Sequence, residues 1–378
     1  MNRHILPFAV ALLVAACNLT TDPTSPTNDA AASAKPDVVA TSLNQGAAPI
    51  RIYQQNVYPG FDIDAVIDGI TSGDPDRFVG ALAQGLATLD ATNWPERAAR
   101  MAQEIEAQNP DVVSLNEMVT IERKGLGYIG LPIADGRVDF LAVFGAELAK
   151  RNLAYKLVDS LPLTFAPVDI GAAFGIAPAG TIFATYYDRD VLFVRRNVEV
   201  ANVVADTFAV GQVEVVRQIR GSITADLTLR GETWHFVASH PEPSWPANGQ
   251  VTHVQEILAS AGDAARPTVI AGDLNLQPSS AEHEQLTSAG FVDLLEQQFG
   301  SSAAGNTCCQ SDPALRNASP TLVKRIDYVL VRPADGYTVG PMGIQVFGDD
   351  ASERTASGMW PSDHAGLFAM LVLQRMRP

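Results

Sequence analysis

No stretch of this sequence is rich in basic residues. Its densest cationic sites are the pairs Arg195-Arg196 and Lys324-Arg325, in a chain with 26 Lys and Arg against 42 Asp and Glu and a formal net charge of −16. A surface of that sign repels polyanions at long range, which excludes tight nucleic-acid binding without a local basic groove but leaves metal-dependent nuclease chemistry open. Beyond the N-terminus no apolar run is long enough to span a bilayer. No internal repeat appears. No Gly-x-Ser-x-Gly elbow is present, which speaks against a serine nucleophile. Cysteine is scarce: there are three, and two of them are the neighbours Cys308 and Cys309. Adjacent cysteines leave open a vicinal disulfide, two buried thiols or an intermolecular bridge. Without a second ligand pair nearby in the sequence, zinc is not expected there, and the pair reads as a structural element of a loop near the site.

What is present begins with an address. Arg3 gives a positive start, Ile5 to Ala16 is apolar apart from Pro7, and Cys17 follows Val14-Ala15-Ala16. That run is too short to span a membrane and fits a signal-peptide core. Small residues immediately before the cysteine resemble a bacterial lipobox, so residues 1–16 read as a lipoprotein signal peptide with Cys17 as the lipidated first residue. The alternative is an ordinary secretory signal cut near the same point. By the same resemblance, Asn18 after the cysteine points to the outer membrane. Residues 18–48 are rich in Thr, Pro, Ser, Asn, Asp and Ala and lack aromatics, the composition of a tether. A catalytic domain is expected over 49–375, with 47% hydrophobic residues in the chain to supply a large core.

Within that span, chemistry-bearing residues sit where strands end. Ile50 to Val57 alternates with period two and carries Asn56 near its end. Trp94 to Gln108 has helical spacing, with Pro95 in the first turn and Asn109-Pro110 as the stop. Asp111 to Leu115 reads as a buried strand running into Asn116-Glu117. Val138 to Asn152 reads as an amphipathic helix. Leu161 to Ile182 is apolar with no clear period, either a long loop packed on the body or a lipid-touching insertion, and packing is favoured. Asp190 to Arg195 reads as a strand, with Asp188 just before it. Val198 to Val204, Val213 to Ile219 and Ile223 to Leu229 form a meander, and Thr233 to Ser239 ends at His240. A helix over Val251 to Ala261 leads to Val269-Ile270-Ala271-Gly272-Asp273-Leu274-Asn275, a buried strand entering a glycine and then presenting a carboxylate and an amide. Ala281 to Ala289 is a further helix. Lys324 to Val331 is a strand interrupted by Asp327, and Ser362-Asp363-His364 opens the last strand, Ala365 to Leu373.

Singly, each of these residues is more ordinary than catalytic: an Asx turn, a surface cap, an exposed histidine. Together, two histidines and several carboxylates at strand ends suit metal-assisted phosphoester hydrolysis, in which a hard cation neutralises the phosphoryl group and imidazoles move protons. The order Asn56, Glu117, His240, Gly272-Asp273-Leu274-Asn275, Asp327-Tyr328, Ser362-Asp363-His364 resembles the endonuclease/exonuclease/phosphatase superfamily. That resemblance implies an α/β fold, a four-layer sandwich of two packed mixed β-sheets flanked by helices. It also implies Mg²⁺ or Mn²⁺ held chiefly by Glu117 with Asn56 and Asp363 close by, and His240 with His364 as a general acid/base pair. Asp273 and Asn275 would orient water, His364 or the phosphate, Asp327 would fix the tautomer of His364, and Asp188 (or Asp190) would orient His240.

Asn56-Val57-Tyr58 lacks the Asn-x-Asp of the apurinic-endonuclease branch and is closer to the deoxyribonuclease/sphingomyelinase-like branch. The acidic charge and the envelope address favour a phosphodiester in a phospholipid headgroup or small molecule over nucleic acid, with the domain a monomer on an N-terminal lipid anchor. A surface-anchored nuclease is the alternative, and a non-catalytic binding module on this scaffold is the third reading.

Overall fold

Ile50 and Ile52 project from one side of their strand and Tyr53 from the other, and all three are fully buried. A strand buried on both faces must lie in a sheet covered on both sides. The computed structural model describes residues 49–173, 176–209, 219–242, 249–339 and 343–376. The signal peptide, Cys17, the tether and nearly all of the strand expected over Val213 to Ile219 lie outside these residues.

In chain order the first half comprises β1 (Ile50–Asn56), α1 (Ile63–Ser72), α2 (Pro75–Ala91), α3 (Trp94–Gln108), β2 (Val112–Asn116), β3 (Thr120–Lys124), β4 (Gly136–Asp139), α4 (Phe140–Lys150), β5 (Tyr155–Asp169), α5 (Ile170–Ala173) and β6 (Phe183–Arg195). The second half comprises β7 (Glu199–Thr207), β8 (Gly221–Leu229), β9 (Glu232–His240), α6 (Gly249–Ala261), β10 (Thr268–Asp273), α7 (Ala281–Ser288), β11 (Val292–Asp293), α8 (Leu294–Phe299), β12 (Asp327–Arg332), β13 (Tyr337–Val339), β14 (Gly343–Phe347), β15 (Gly366–Leu371) and β16 (Leu373–Arg375). One sheet runs β14-β15-β1-β2-β6-β3-β4, with β5 also paired to β6; the other runs β11-β12-β10-β9-β8-β7. Both are mixed: β1 pairs parallel with β2, β9 pairs parallel with β10, and their other neighbours are antiparallel.

Three apolar layers hold four layers of structure. Ile52, Val112 and Leu192 of the first sheet meet Phe236, Val269 and Val329 of the second in the central seam. Tyr53, Val113 and Phe193 on the outer face of the first sheet pack on helices through Trp94, Met101 and Leu86. Val237, Ile270 and Leu330 do the same for the second sheet against Val254, Ile257 and Leu286. Strand residues that alternate between two apolar layers are the sequence cause of the sandwich.

Three stretches depart from expectation. Leu161 to Ile182 packs on the body as favoured, with Leu161, Leu163, Ala166, Ile170 and Ile182 buried, but its first half is a strand and not a loop: Tyr155–Asp169 is one long strand paired antiparallel with Phe183–Arg195. Register shifts between Leu157 and Asp159 and between Pro162 and Phe165 break the side-chain alternation, so period two is lost although pairing persists. Residues 63–91, for which no element is expected above, form α1 and α2. Asp62 and Asp74 cap their N-termini, and Gly73 closes the first helix at φ 69°. The expected helix over Val138 to Asn152 is shorter, because Gly136–Asp139 pairs with β3 before Asp139 caps α4.

Candidate active site

The ends of β9 and β10 set the centre of the site. Gly272 is one step past the last paired residues of these strands, Ala271 and Ala238, and a Cβ placed there would lie 1.8 Å from the Ser239 carbonyl oxygen. Only glycine lets the two backbones approach this closely, and the residues that follow, His240 and Asp273, are thereby brought face to face. Replacing Gly272 with alanine is expected to cost about 3 kcal/mol, the upper part of the usual overpacking range. Denaturant unfolding checks it, and a loss under about 1 kcal/mol would contradict the role given to this contact.

Asp273 is 2% exposed, and its carboxylate joins both sheets. Oδ2 accepts from Asn56 Nδ2 at 3.0 Å and lies 3.7 Å from His240 Nε2 and 3.8 Å from His364 Nδ1. Oδ1 accepts from the backbone N–H of Asn275 at 3.0 Å, and the N–H of Asp273 itself donates to Asn116 Oδ1 at 3.0 Å. Asn275, at φ 53°, turns its amide to donate to the Pro241 carbonyl at 3.1 Å, which ties the loop after β10 to the loop after β9.

The two imidazoles have different surroundings. His364 Nδ1 lies 2.8 Å from Asp327 Oδ2. The carboxylate fixes the proton on Nδ1 and leaves Nε2 to exchange protons. Burial alone would lower the pKa of His364, but Asp327, Asp363 and Asp273 together hold it well above the usual imidazole range. His240 Nδ1 lies 3.1 Å from Arg220 Nη1. A guanidinium only donates, so Nδ1 accepts and the ring proton of His240 sits on Nε2. Desolvation, then Arg220, pushes its pKa down to about 4, which keeps it neutral. The carboxylate near its Nδ1 is Asp190 at 3.7 Å, whereas Asp188 faces Arg220 at 3.6 Å. Asp188 lies inside β6 rather than before a strand and acts on the ring through Arg220. Burial pushes the pKa of Asp190 up to about 7, with the Asn116 side chain, Arg220 and the Glu117 N–H pulling the other way.

Glu117, Asp188, Arg220, Asp363 and His364 line a cleft of about 700 Å³. Glu117 sits just past β2 in the left-handed region at φ 61°, a turn that ends the strand and presents the carboxylate to the cleft. Desolvation pushes its pKa up to about 8, with Asp188 and Asp363 adding repulsion. Asp188 and Asp363 are raised too, again first by desolvation. Carboxylates crowded in this way repel one another despite Arg220 and His364 nearby, and oxygen ligands of this kind suit a hard divalent cation. The residues fit such an ion. Asn56 is less free: Nδ2 donates to Asp273 and Oδ1 already accepts from the Tyr58 N–H at 3.1 Å, leaving one lone pair for a metal.

Four contributors are not foreseen from the sequence. Arg220 sets the tautomer of His240. Gln54 Nε2 donates to Asp327 Oδ1 at 3.3 Å and to Asn116 Oδ1 at 3.4 Å. Thr307 Oγ1 accepts from the N–H groups of Ile326 and Asp327, both at 3.1 Å. Arg97, fully buried on α3, donates to the carbonyls of Thr92, Val57, Tyr58 and Pro361 at 2.7–3.0 Å. The available signal for Arg97 was an arginine on the apolar face of an amphipathic helix; the others carry none.

The sequence profile described as the Endonuclease/Exonuclease/phosphatase family matches residues 80–364. No curated protein matches the chain. Among solved structures, D. rerio TDP2 complexed with a single-strand DNA product is 18% identical, with a TM-score of 0.50 over 86% of this chain and 99% of that one. An endonuclease/exonuclease/phosphatase from Beutenbergia cavernae is 19% identical, with a TM-score of 0.51 over 86% and 72%. A protein of the same description from Bacteroides thetaiotaomicron is 14% identical, with a TM-score of 0.50 over 86% and 98%. At these identities the likeness is one of fold.

Proposed function

The chain belongs to the endonuclease/exonuclease/phosphatase family, whose members are metal-dependent phosphoester hydrolases, and from that premise we propose that it cleaves a phosphodiester in a phospholipid headgroup or small molecule. The observation that carries the proposal is the Asp327–His364 pair, 2.8 Å apart, opening on the cleft that Glu117 and Asp363 also line. A divalent ion, Mg²⁺ or Mn²⁺, held by Glu117 and Asp363 with Asn56 beside them would neutralise charge on the phosphoryl group. His364, oriented by Asp327 and held protonated by the carboxylates around it, gives a proton to the leaving oxygen through Nε2. His240, protonated on Nε2 and closed at Nδ1 by Arg220, turns that N–H toward Asp273 and does not act as a base. The two histidines therefore work unequally. Asp273 stands between the rings, 3.7 Å from His240 Nε2 and 3.8 Å from His364 Nδ1.

The choice of substrate rests on charge. The same cleft is walled by Asp62, Asp64, Asp68 and Asp76 of α1, α2 and their caps, with Arg77 as the cation among them. A polyanionic strand laid along that wall meets like charge, whereas a single phosphodiester needs only the central groups. Sphingomyelin, phosphatidylinositol, bis-p-nitrophenyl phosphate and plasmid DNA, each assayed with Mg²⁺ and again with EDTA, test the proposal. Hydrolysis of a lipid or small diester that disappears with EDTA is the expected result. Faster cleavage of DNA than of any other substrate would replace it with a nuclease, and no turnover of any would leave a binding module. The proposal extends to an envelope location through a lipid on Cys17. Labelled palmitate incorporated by the wild-type chain in a bacterial host but not by Cys17→Ser is the expected outcome; equal labelling removes that part.

A further inference from the structure

Cys308 and Cys309 form a disulfide in the segment that backs the cleft. Cys308 is bridged in β fashion to His364 on one side and to Lys324 on the other. Thr307 accepts from the N–H of Ala365 at 2.7 Å, and Gln310 donates to the Asp363 carbonyl at 2.8 Å. This segment is thus fastened to the strand opening that carries Asp363 and His364. The two sulfurs and one ring nitrogen of His364 lie within 4.8 Å of one another, with Cys308 buried and Cys309 half-buried. No second ligand pair is near in sequence. The fold supplies a third ligand from 55 residues further on.

We propose that reduction of the Cys308–Cys309 disulfide creates a site for one soft divalent ion, Zn²⁺ or Cd²⁺, ligated by the two thiolates and His364. Two thiolates and an imidazole are three of the four ligands of a common tetrahedral set, and water completes it. As a disulfide the sulfurs carry no negative charge and are poor ligands. As thiols, each gives up its proton to the solvent when the metal binds. The step that switches the site is a two-electron reduction: a phosphine or dithiol breaks the S–S bond, each sulfur gains one electron and one proton, and the reductant leaves as phosphine oxide (its oxygen from water) or as its own disulfide. The half-buried Cys309 gives the reductant access. In the reading of His364 as proton carrier, on which this consequence rests, a metal held there withdraws the imidazole from hydrolysis. The disulfide then keeps His364 free of competing soft metals in an oxidising compartment.

The test uses the full-length chain with Cys17→Ser, so that the pair supplies the only cysteine sulfurs. Phosphine-reduced and oxidised protein are each titrated with Cd²⁺ in excess Mg²⁺, following the sulfur-to-cadmium absorption band and hydrolysis of bis-p-nitrophenyl phosphate. The reduced protein is expected to bind one Cd²⁺ with a thiolate band. It should lose hydrolysis at a Cd²⁺ concentration at least tenfold below that needed for the oxidised protein. His364→Asn should keep the band but weaken Cd²⁺ binding about tenfold, and Cys309→Ser should weaken it further. No band on reduction, or equal Cd²⁺ affinity in the His364→Asn chain, overturns the site; equal inhibition of both redox forms overturns the switch. Because the band is read without turnover, a chain with no hydrolytic activity still tests the site.

Discussion

Replacing His364 with alanine should lower Mg²⁺-dependent turnover of a phosphodiester by about 10²–10⁴-fold, the range a positioned general acid/base supplies. The far-UV spectrum should not change, because the ring lines a cleft and the strand behind it is held by backbone pairing from Gly366 onward. Asp327→Asn should show most of the same loss, since an amide cannot compensate an imidazolium and the tautomer is no longer dictated. The two losses should not add. Once His364 is gone, Asp327 has no ring to orient, so the double variant should match His364→Ala within a factor of a few, as for groups that act as one unit. Additive losses, or normal turnover in His364→Ala, would remove the Asp327–His364 pair from the mechanism. His240→Asn supplies the contrast. It should reduce turnover without removing the pH dependence, because the group that titrates during the cycle is assigned to His364.

Loss of Arg97 should be felt in both stability and metal use. Its guanidinium satisfies four backbone carbonyls, from Thr92, Val57, Tyr58 and Pro361, at a fully buried position. Truncation to alanine strands all four, and at the lower end of the penalty for a buried unsatisfied group the cost is about 4 kcal/mol. Lysine keeps a charge but has three donors on a flexible stem in place of a planar fork, so it should recover only part. These carbonyls flank Asn56 on one side and Ser362-Asp363 on the other, and Ser362 Oγ in turn donates to the Asn56 carbonyl at 2.7 Å. Arg97→Lys should therefore raise the Mg²⁺ concentration needed for half-maximal activity more than it lowers turnover at saturating Mg²⁺. Urea unfolding and a Mg²⁺ activation curve read the two effects separately. An Arg97→Ala chain within about 1 kcal/mol of the wild type would show that water replaces the fork at no cost.

The strands at 50–56, 112–116 and 268–273 and the helix at 94–108 were legible because each is a single period or an unbroken apolar run bounded by Asn, Pro or Gly. The candidate residues were legible for a related reason: a charged or amide side chain that interrupts an apolar strand at its end stands out against the pattern. What could not be read was pairing. Arg220 follows the run Val213 to Ile219, read as a strand with nothing to mark its last neighbour as functional, and only the closeness of β8 to β9 puts its guanidinium on His240. Asp190 and Asp188 are two residues apart on one strand face, so the sequence could not choose between them. The long strand after Tyr155 was hidden by its own bulges. Helices α1 and α2 carry a readable apolar stripe (Val66, Ile67, Phe78, Leu82, Leu86), and nothing in the physics kept them from being found.

Asn56, Glu117 and His364 hang from one sheet, and His240, Asp273 and Asp327 from the other. The greasy seam between them is therefore also the ruler that sets each spacing from one group to the other. A void opened far below the rim, for instance by shortening Leu192 or Val269, lets one sheet settle against its partner and throws the upper edge out of alignment. Such an enzyme should go silent while still folded, at a denaturant concentration below its unfolding midpoint.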